Sequence, residues 1–374
     1  MDGLRGIAIL MVVFSHVGET CSPTFLKWVW PLALFADWDC GVTIFFVLSG
    51  YLITSILLRE YDTIGRIDMK AFYMRRILRI FPAFYLFLLF LIGLDLAGAI
   101  HLPASDFLFA GSHLINYSTA IHLAFHWPVE TSSDYWFIGH FWTLSMEEQF
   151  YWMWPLTLTV LLRKRWWGVL AVVILALPLI RLTSYYLCPG LRGQLGMMLH
   201  TGSDGIFAGC LLAILLARRP PLGTKLLLPA WGVALVPVYI CLVNPLIGSV
   251  MPRGFGLLAG KTLLLVAIVL FLANVLLQEG PNWYHRFLEN RVLVFLGRIS
   301  YSLYLWQQVF LTTYDKTWLG KFPINLAMAI LVGWLSYRFV EQPFIRLKDR
   351  FSPAHTKRAK PEAGIAVAVP AGMR

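Results

Sequence analysis

The sequence predicts an all-α membrane protein with about ten transmembrane helices and both termini in the cytoplasm. Three observations predict it. Of the 374 residues, 58% are hydrophobic and only 14% are charged, with a mean hydropathy of +0.68; that is far too apolar for a soluble domain of this size. Apolar runs approaching membrane-spanning length recur along the chain. Lys and Arg concentrate in alternate loops, the pattern of a polytopic protein with basic cytoplasmic turns.

The ten stretches are 3–18, 41–58, 78–96, 141–162, 166–182, 204–217, 226–243, 260–277, 292–312 and 323–340. The first, second and sixth are short or glycine-rich. With the N-terminus inside, the inner side holds Arg5, the basic group within 59–79, the RKR turn at 163–165, Arg218, Arg219, Lys225, Arg286, Arg291, Arg298 and the basic C-terminal region. The outer side holds Lys27, Arg181, Arg192, Arg253, Lys261, Lys316 and Lys321, and the long outer segment 97–137 has no Lys or Arg at all. This asymmetry accounts for most of the formal charge of +11. Membrane lipid is therefore the expected surface partner, and nucleic acid is not. Fifteen Trp and fifteen Tyr suit interfacial belts.

Residues 1–350 read as one polytopic membrane domain. Residues 351–374, basic and then rich in Ala, Pro and Gly, read as a disordered cytoplasmic tail. The first apolar run lacks a basic n-region and a small-residue cleavage site, so no cleavable signal is expected. No soluble second domain is expected either.

The first helix, DGLRGIAILMVVFSH at 2–16, organises the rest. Arg5 and His16 are eleven residues apart, close to three turns, so both lie on one face roughly 16 Å apart along the axis. Ionisable residues within a membrane span are costly and usually functional. A buried neutral His16 suits a general base or an acyl relay. Arg5, at the inner end, suits an anionic group.

In the second span, GVTIFFVLSGYLIT at 41–54, Gly41, Ser49 and Gly50 read on their own as packing positions. At the start of the third, FYMRRILRIFPAFY at 72–85 sets Arg75, Arg76 and Arg79 together. Such a cluster anchors a span on the inner side and also suits phosphate groups. At the fourth, HFWTLSMEEQFYWMWP at 140–155 places Glu147 and Glu148 in a membrane span, where they need partners; His16, His140 or an arginine fit. Glu147 shares a face with Tyr151 and with His140, and a carboxylate that orients a histidine is a standard general-base device.

Residues 97–137 read as a partly structured surface loop at the mouth of a site. His122 and His126 have i,i+4 spacing but no third ligand, so no metal site is expected. The five cysteines lack metal-ligand spacing; Cys21 and Cys40 fall in one outer loop and form either a disulfide or two free thiols. GRISYSLYLWQQ at 297–308 and YRFVEQPFIRLK at 337–348, with Glu341, read as structural.

These stretches, taken together, resemble the membrane acyltransferase-3 family, in the bacterial O-acyltransferase form without an appended hydrolase-like domain. DGLRGIAILMVVFSH is similar to its R/K-x10-H motif, GVTIFFVLSGYLI to its second-helix signature, FYMRRILRIFPAFY to its basic third-helix motif and HFWTLSMEEQFY to its fourth. LHTGSDGIFAGCLLA, ISYSLYLW and YRFVEQPF follow in order. The resemblance implies transfer of a short acyl group from acyl-CoA to a sugar, glycan or glycosylated small molecule in the bacterial cytoplasmic membrane. It implies His16, Arg5 and Glu147 as catalytic, and Arg75, Arg76, Arg79, Ser49 and Gly50 in donor handling. His140, Trp142, Tyr151 and Glu148 are assigned to the substrate. The sequence departs from the family pattern at Thr43, Gly202 and Gln307, and none of the three is expected to touch the Arg5–His16 pair.

The rival reading is a transporter or flippase with the Arg5–His16–Glu147 line as its substrate or proton path. It predicts inverted-repeat symmetry, and the signatures of the first four spans are not echoed in the later ones.

Overall fold

A computed structural model describes residues 1–21, 37–128, 132–219, 222, 225–246, 256–278, 280, 282–312 and 318–348. Among the described residues the chain is helical and has no strand. Among the described residues five helices are long and apolar enough to cross a membrane: Trp38–Ile64, Met69–Leu96, Val169–Leu187, Leu258–Leu277 and Ile324–Leu347. The stretches 3–18 and 141–162 are not among these five; they carry the polar residues, Arg5 and His16 in one and Glu147, Glu148 and Gln149 in the other.

The helices that position the site are α1 (Asp2–Thr20), α2 (Trp38–Ile64), α3 (Met69–Leu96), α4 (Phe141–Lys164), α5 (Val169–Leu187), α6 (Asp204–Arg218), α7 (Ala230–Val238), α8 (Lys261–Leu277) and α9 (Arg291–Phe310). The ends of α2 follow from local chemistry. Asp37 accepts the Cys40 N–H at 2.9 Å as an N-cap, and Gly65, at φ 73°, closes the C-terminus in the left-handed conformation. Asp68 caps α3 by accepting from the Ala71 N–H at 2.9 Å.

α1 lies between α9 and α2, and α2 packs in turn on α6. The α1–α9 crossing is backbone-close: a Cβ on Gly297 would stand 1.8 Å from the Asp2 carbonyl oxygen. Small residues at such crossings let helices approach without a side chain between them. The contact fixes the Arg5 end of α1 against α9.

The segment expected as a partly structured surface loop contains two short helices with buried residues between and along them. Helix Ala104–Gly111 turns at His113 into helix Ser118–Phe125. The buried His113 ring stacks on Phe81 at 5.6 Å and meets Phe84 at 4.5 Å, both in the middle of α3. Asn116 and Gln149 of α4 exchange amide hydrogen bonds at 2.8 and 3.2 Å. His126 ends the second helix at φ 53°, so the i,i+4 relation with His122 is broken. Among the described residues no group of three His, Cys, Asp or Glu side chains could hold a metal. Cys21 and Cys40 are free thiols. The expected tail, 351–374, lies outside the described residues.

Candidate active site

At the Arg5 end of α1, helices α1, α2, α3, α4 and α9 enclose a cavity of about 320 Å³. Its polar wall is made by Arg5, Ser49, Arg76, Arg79, Glu147 and Glu148, with Tyr151, Thr143 and the α9 residues Ser300, Tyr301 and Tyr304. Val42, Phe46, Ile53, Ile80 and Leu144 supply apolar wall between them.

The charges in this cavity answer one another. Arg5 faces the like charge of Arg79 and the opposite charges of Asp2, Glu147 and Glu341. Arg76 interacts with Tyr151, Glu148 and Glu147, and its guanidinium lies 5.5 Å from the Tyr151 ring centroid. The Tyr151 hydroxyl is hydrogen-bonded to Ser49. Glu341 accepts a hydrogen bond from Ser302 at 2.6 Å. Arg5, Arg76 and Arg79 are thus within electrostatic range of the cavity carboxylates Glu147 and Glu148 and of Glu341 beside it.

The basic cluster divides. Arg76 and Arg79, three residues apart, share the cavity face of α3. Arg75 does not line it: its guanidinium lies 2.9 Å from Glu60, and both are buried. Glu60 also accepts the Asp68 N–H at 2.7 Å, so Arg75 and Glu60 brace the α2–α3 turn. Gly50 is likewise removed from the donor group. A Cβ there would stand 1.9 Å from the Ile206 carbonyl oxygen, so Gly50 serves the α2–α6 crossing while its neighbour Ser49 faces the cavity.

Of the substrate residues expected from the sequence, Tyr151 and Glu148 line the cavity. Trp142 and His140 do not. Trp142 packs edge-on against Trp38 and Phe46, near the buried Arg181–Asp204 ion pair of 2.5 Å. His140 is buried among Phe87, Phe141 and Tyr304.

His16 stands beyond the other end of the cavity. Its Nδ1 lies 3.1 Å from Gln307 Oε1, and its ring meets Trp136 edge-on at 5.2 Å. Trp136 is held by a 3.0 Å bond from its indole N–H to the Gln308 carbonyl. Tyr304, one turn before Gln307 on α9, donates to the His140 carbonyl at 3.1 Å and bonds Thr143 Oγ1 at 2.8 Å. Along α9, Tyr304 thus separates the cavity from the His16–Gln307 pair.

The expectation that Glu147 orients His16 is not met. α4 runs antiparallel to α1: His140 is within electrostatic range of His16, and Glu147, two turns further, reaches Arg5. The neutral amide of Gln307 is hydrogen-bonded to His16. Gln307 and the tyrosines of ISYSLYLW were read as structural or as a departure from pattern. Their signal was the density of hydroxyls and amides in a span, which the sequence reading left unused.

A family model described as an acyltransferase domain matches residues 1–338. The chain belongs to the acyltransferase-3 family. It is similar to a protein of Staphylococcus aureus (strain COL) named "Putative O-acetyltransferase", with 31% identity over 373 residues, covering 92% of this chain and 56% of that protein. It is also similar to O-acetyltransferase OatA of Staphylococcus aureus (strain NCTC 8325), with 27% identity over 370 residues and the same coverage. The chain spans about half the length of these relatives. No solved structure matches it. Within this acyltransferase-3 chain, all the residues gathered at the cavity lie inside the matched region.

Proposed function

We propose that the chain is an O-acyltransferase of the bacterial cytoplasmic membrane, moving an acetyl or other short acyl group from acyl-CoA to a hydroxyl of a sugar, glycan or glycosylated small molecule. The observation that carries this reading is the single cavity that gathers Arg5, Arg76, Arg79 and Glu147, with His16 beyond its far end. Membership of an acyltransferase family and the O-acetyltransferase names of the relatives support it.

In this reading Arg76 and Arg79 hold phosphate oxygens of acyl-CoA at the basic inner end; guanidinium groups suit phosphates by charge and by paired N–H donors. Glu147 holds Arg5 and Arg76 in place. The acyl end runs along the apolar wall towards Tyr304. Gln307 Oε1 accepts a hydrogen bond from the Nδ1–H of His16, which leaves Nε2 as the basic nitrogen. Nε2 takes the proton of the acceptor hydroxyl as the oxygen attacks the thioester carbonyl. The C–O bond forms, the C–S bond breaks and the departing CoA sulfur takes the proton. In the relay form Nε2 attacks the thioester first, forming a C–N bond as the C–S bond breaks and CoA leaves as the thiolate; the acceptor oxygen then attacks the acyl carbon, the C–O bond forms, the C–N bond breaks and the hydroxyl proton passes to the thiolate. Arg5, three turns from His16, adds positive charge at the phosphate end of the donor.

The test supplies purified protein in nanodiscs with radiolabelled acetyl-CoA and a membrane glycan extract. Label in the glycan fraction, dependent on active protein, is expected. Label no higher than with heat-inactivated protein contradicts the reading.

A further inference from the structure

On the face of α1 away from the charged cavity lies a second one, of about 330 Å³, lined only by apolar side chains and one cysteine. α1, α2, α7, α8 and the short helix Trp283–Leu288 form it. Leu4 and Phe14 mark its extent along α1. Ten residues of helix rise about 15 Å, which is half of the roughly 30 Å hydrocarbon thickness of a bilayer. The cavity is therefore as long as one leaflet is deep.

The Leu4 end has a different chemistry. Trp283, Phe287 and Leu293 line the cavity there, and Arg286 and Arg291, next to Phe287 and two before Leu293 in the sequence, are both exposed. Among the described residues neither arginine is in an ion pair, and Glu289 is the one carboxylate in the stretch 283–293. Loop charge places this end on the cytoplasmic side. Trp283, half-exposed at the rim, suits the membrane interface. Basic groups beside an apolar crevice between spans, on the cytoplasmic side, recognise anionic lipid headgroups.

We propose that this cavity is a binding site for an anionic phospholipid of the inner leaflet, with one acyl tail between α1, α7 and α8 and its phosphate at Arg286 and Arg291. The apolar wall offers a tail no hydrogen bond and needs none, so the tail is held by burial alone. Selection falls to the two arginines at the rim. The site is separate from the charged cavity and does not depend on the catalytic reading.

Photolabelling tests it. The protein is placed in phosphatidylcholine nanodiscs carrying a trace of phosphatidylglycerol, or of phosphatidylcholine, with a diazirine on one tail. After irradiation the labelled peptides are mapped. Phosphatidylglycerol label is expected at 236–241 and 283–293, at least fivefold above phosphatidylcholine label. Ile240→Trp, which fills the cavity, is expected to remove that enrichment. Leu235→Trp, at an exposed position of the same helix, is expected to keep it. Arg286→Glu with Arg291→Glu is expected to bring the phosphatidylglycerol label down to the phosphatidylcholine level. Label spread evenly over lipid-facing peptides, equal labelling by the two headgroups, or displacement of the label by a trace of isoprenoid phosphate overturns the proposal.

Discussion

His16 Nδ1 lies 3.1 Å from the side-chain oxygen of Gln307. An amide oxygen can only accept, so across this contact the donor is the His16 Nδ1–H, and a neutral ring with that tautomer has its lone pair on Nε2. One residue of α9 therefore decides which nitrogen of an α1 histidine is basic. The bond also fixes the ring against Trp136.

Gln307→Leu removes this acceptor while keeping a side chain of similar bulk. Turnover is expected to fall about 10- to 100-fold, part of what a well-placed general base contributes, with little change in KM for acyl-CoA. Gln307→Glu keeps an acceptor and is expected to retain most of the rate. Steady-state kinetics on the two variants check this; a Leu variant turning over at the wild-type rate contradicts it.

The three arginines of the third-helix motif are expected to separate experimentally. Arg76→Gln and Arg79→Gln should weaken acyl-CoA binding about tenfold or more, the effect of a lost charge-assisted hydrogen bond. Arg75→Gln should leave binding nearly intact and instead destabilise the fold by about 3–5 kcal/mol, because it strands the buried Glu60 carboxylate. Calorimetric binding and thermal unfolding in detergent distinguish the two outcomes.

Gly50 behaves as a packing residue in this account. Gly50→Leu is expected to prevent accumulation of folded protein, since even a Cβ would stand 1.9 Å from a backbone oxygen of α6. Gly50→Ala should lower stability by about 1–3 kcal/mol without a specific loss of acyl-CoA affinity in the protein that folds. A selective loss of affinity in a fully stable Ala variant returns Gly50 to the donor site.

Tyr304→Phe keeps the ring that ends the cavity and removes the hydroxyl that ties α9 to Thr143 and the His140 carbonyl. The expected stability cost is about 1 kcal/mol. Turnover is expected to fall further than that loss explains, with acyl-CoA affinity unchanged, because the bond sets the spacing between the cavity and His16. Equal small losses in stability and rate contradict this role.

Much of this arrangement was legible in the sequence. The 3.6-residue period put Arg5 and His16 on one face of α1, and the cost of charge in a span marked Glu147 and Glu148. Helix periodicity alone could not choose partners across helices. It left Glu147 equally able to meet a histidine or an arginine, and the antiparallel course of α4 decides for Arg5 and Arg76. Arg75, Arg76 and Arg79 looked equivalent in a basic run; Glu60, fifteen residues earlier, removes Arg75 from the group. The helices within 104–125 are not fixed by the sequence because they are eight residues each and the burial of His113 between them depends on aromatic rings of α3.

The central claim is that His16 is the chemical centre served by the arginine-lined cavity. It is tested most directly by CoA release from radiolabelled acyl-CoA, comparing wild type with His16→Ala in nanodiscs and following label on the protein in parallel. The account predicts that CoA release in the presence of glycan acceptor is lost in His16→Ala, while acyl-CoA still binds through Arg76 and Arg79. Undiminished release by a folded His16→Ala protein contradicts it.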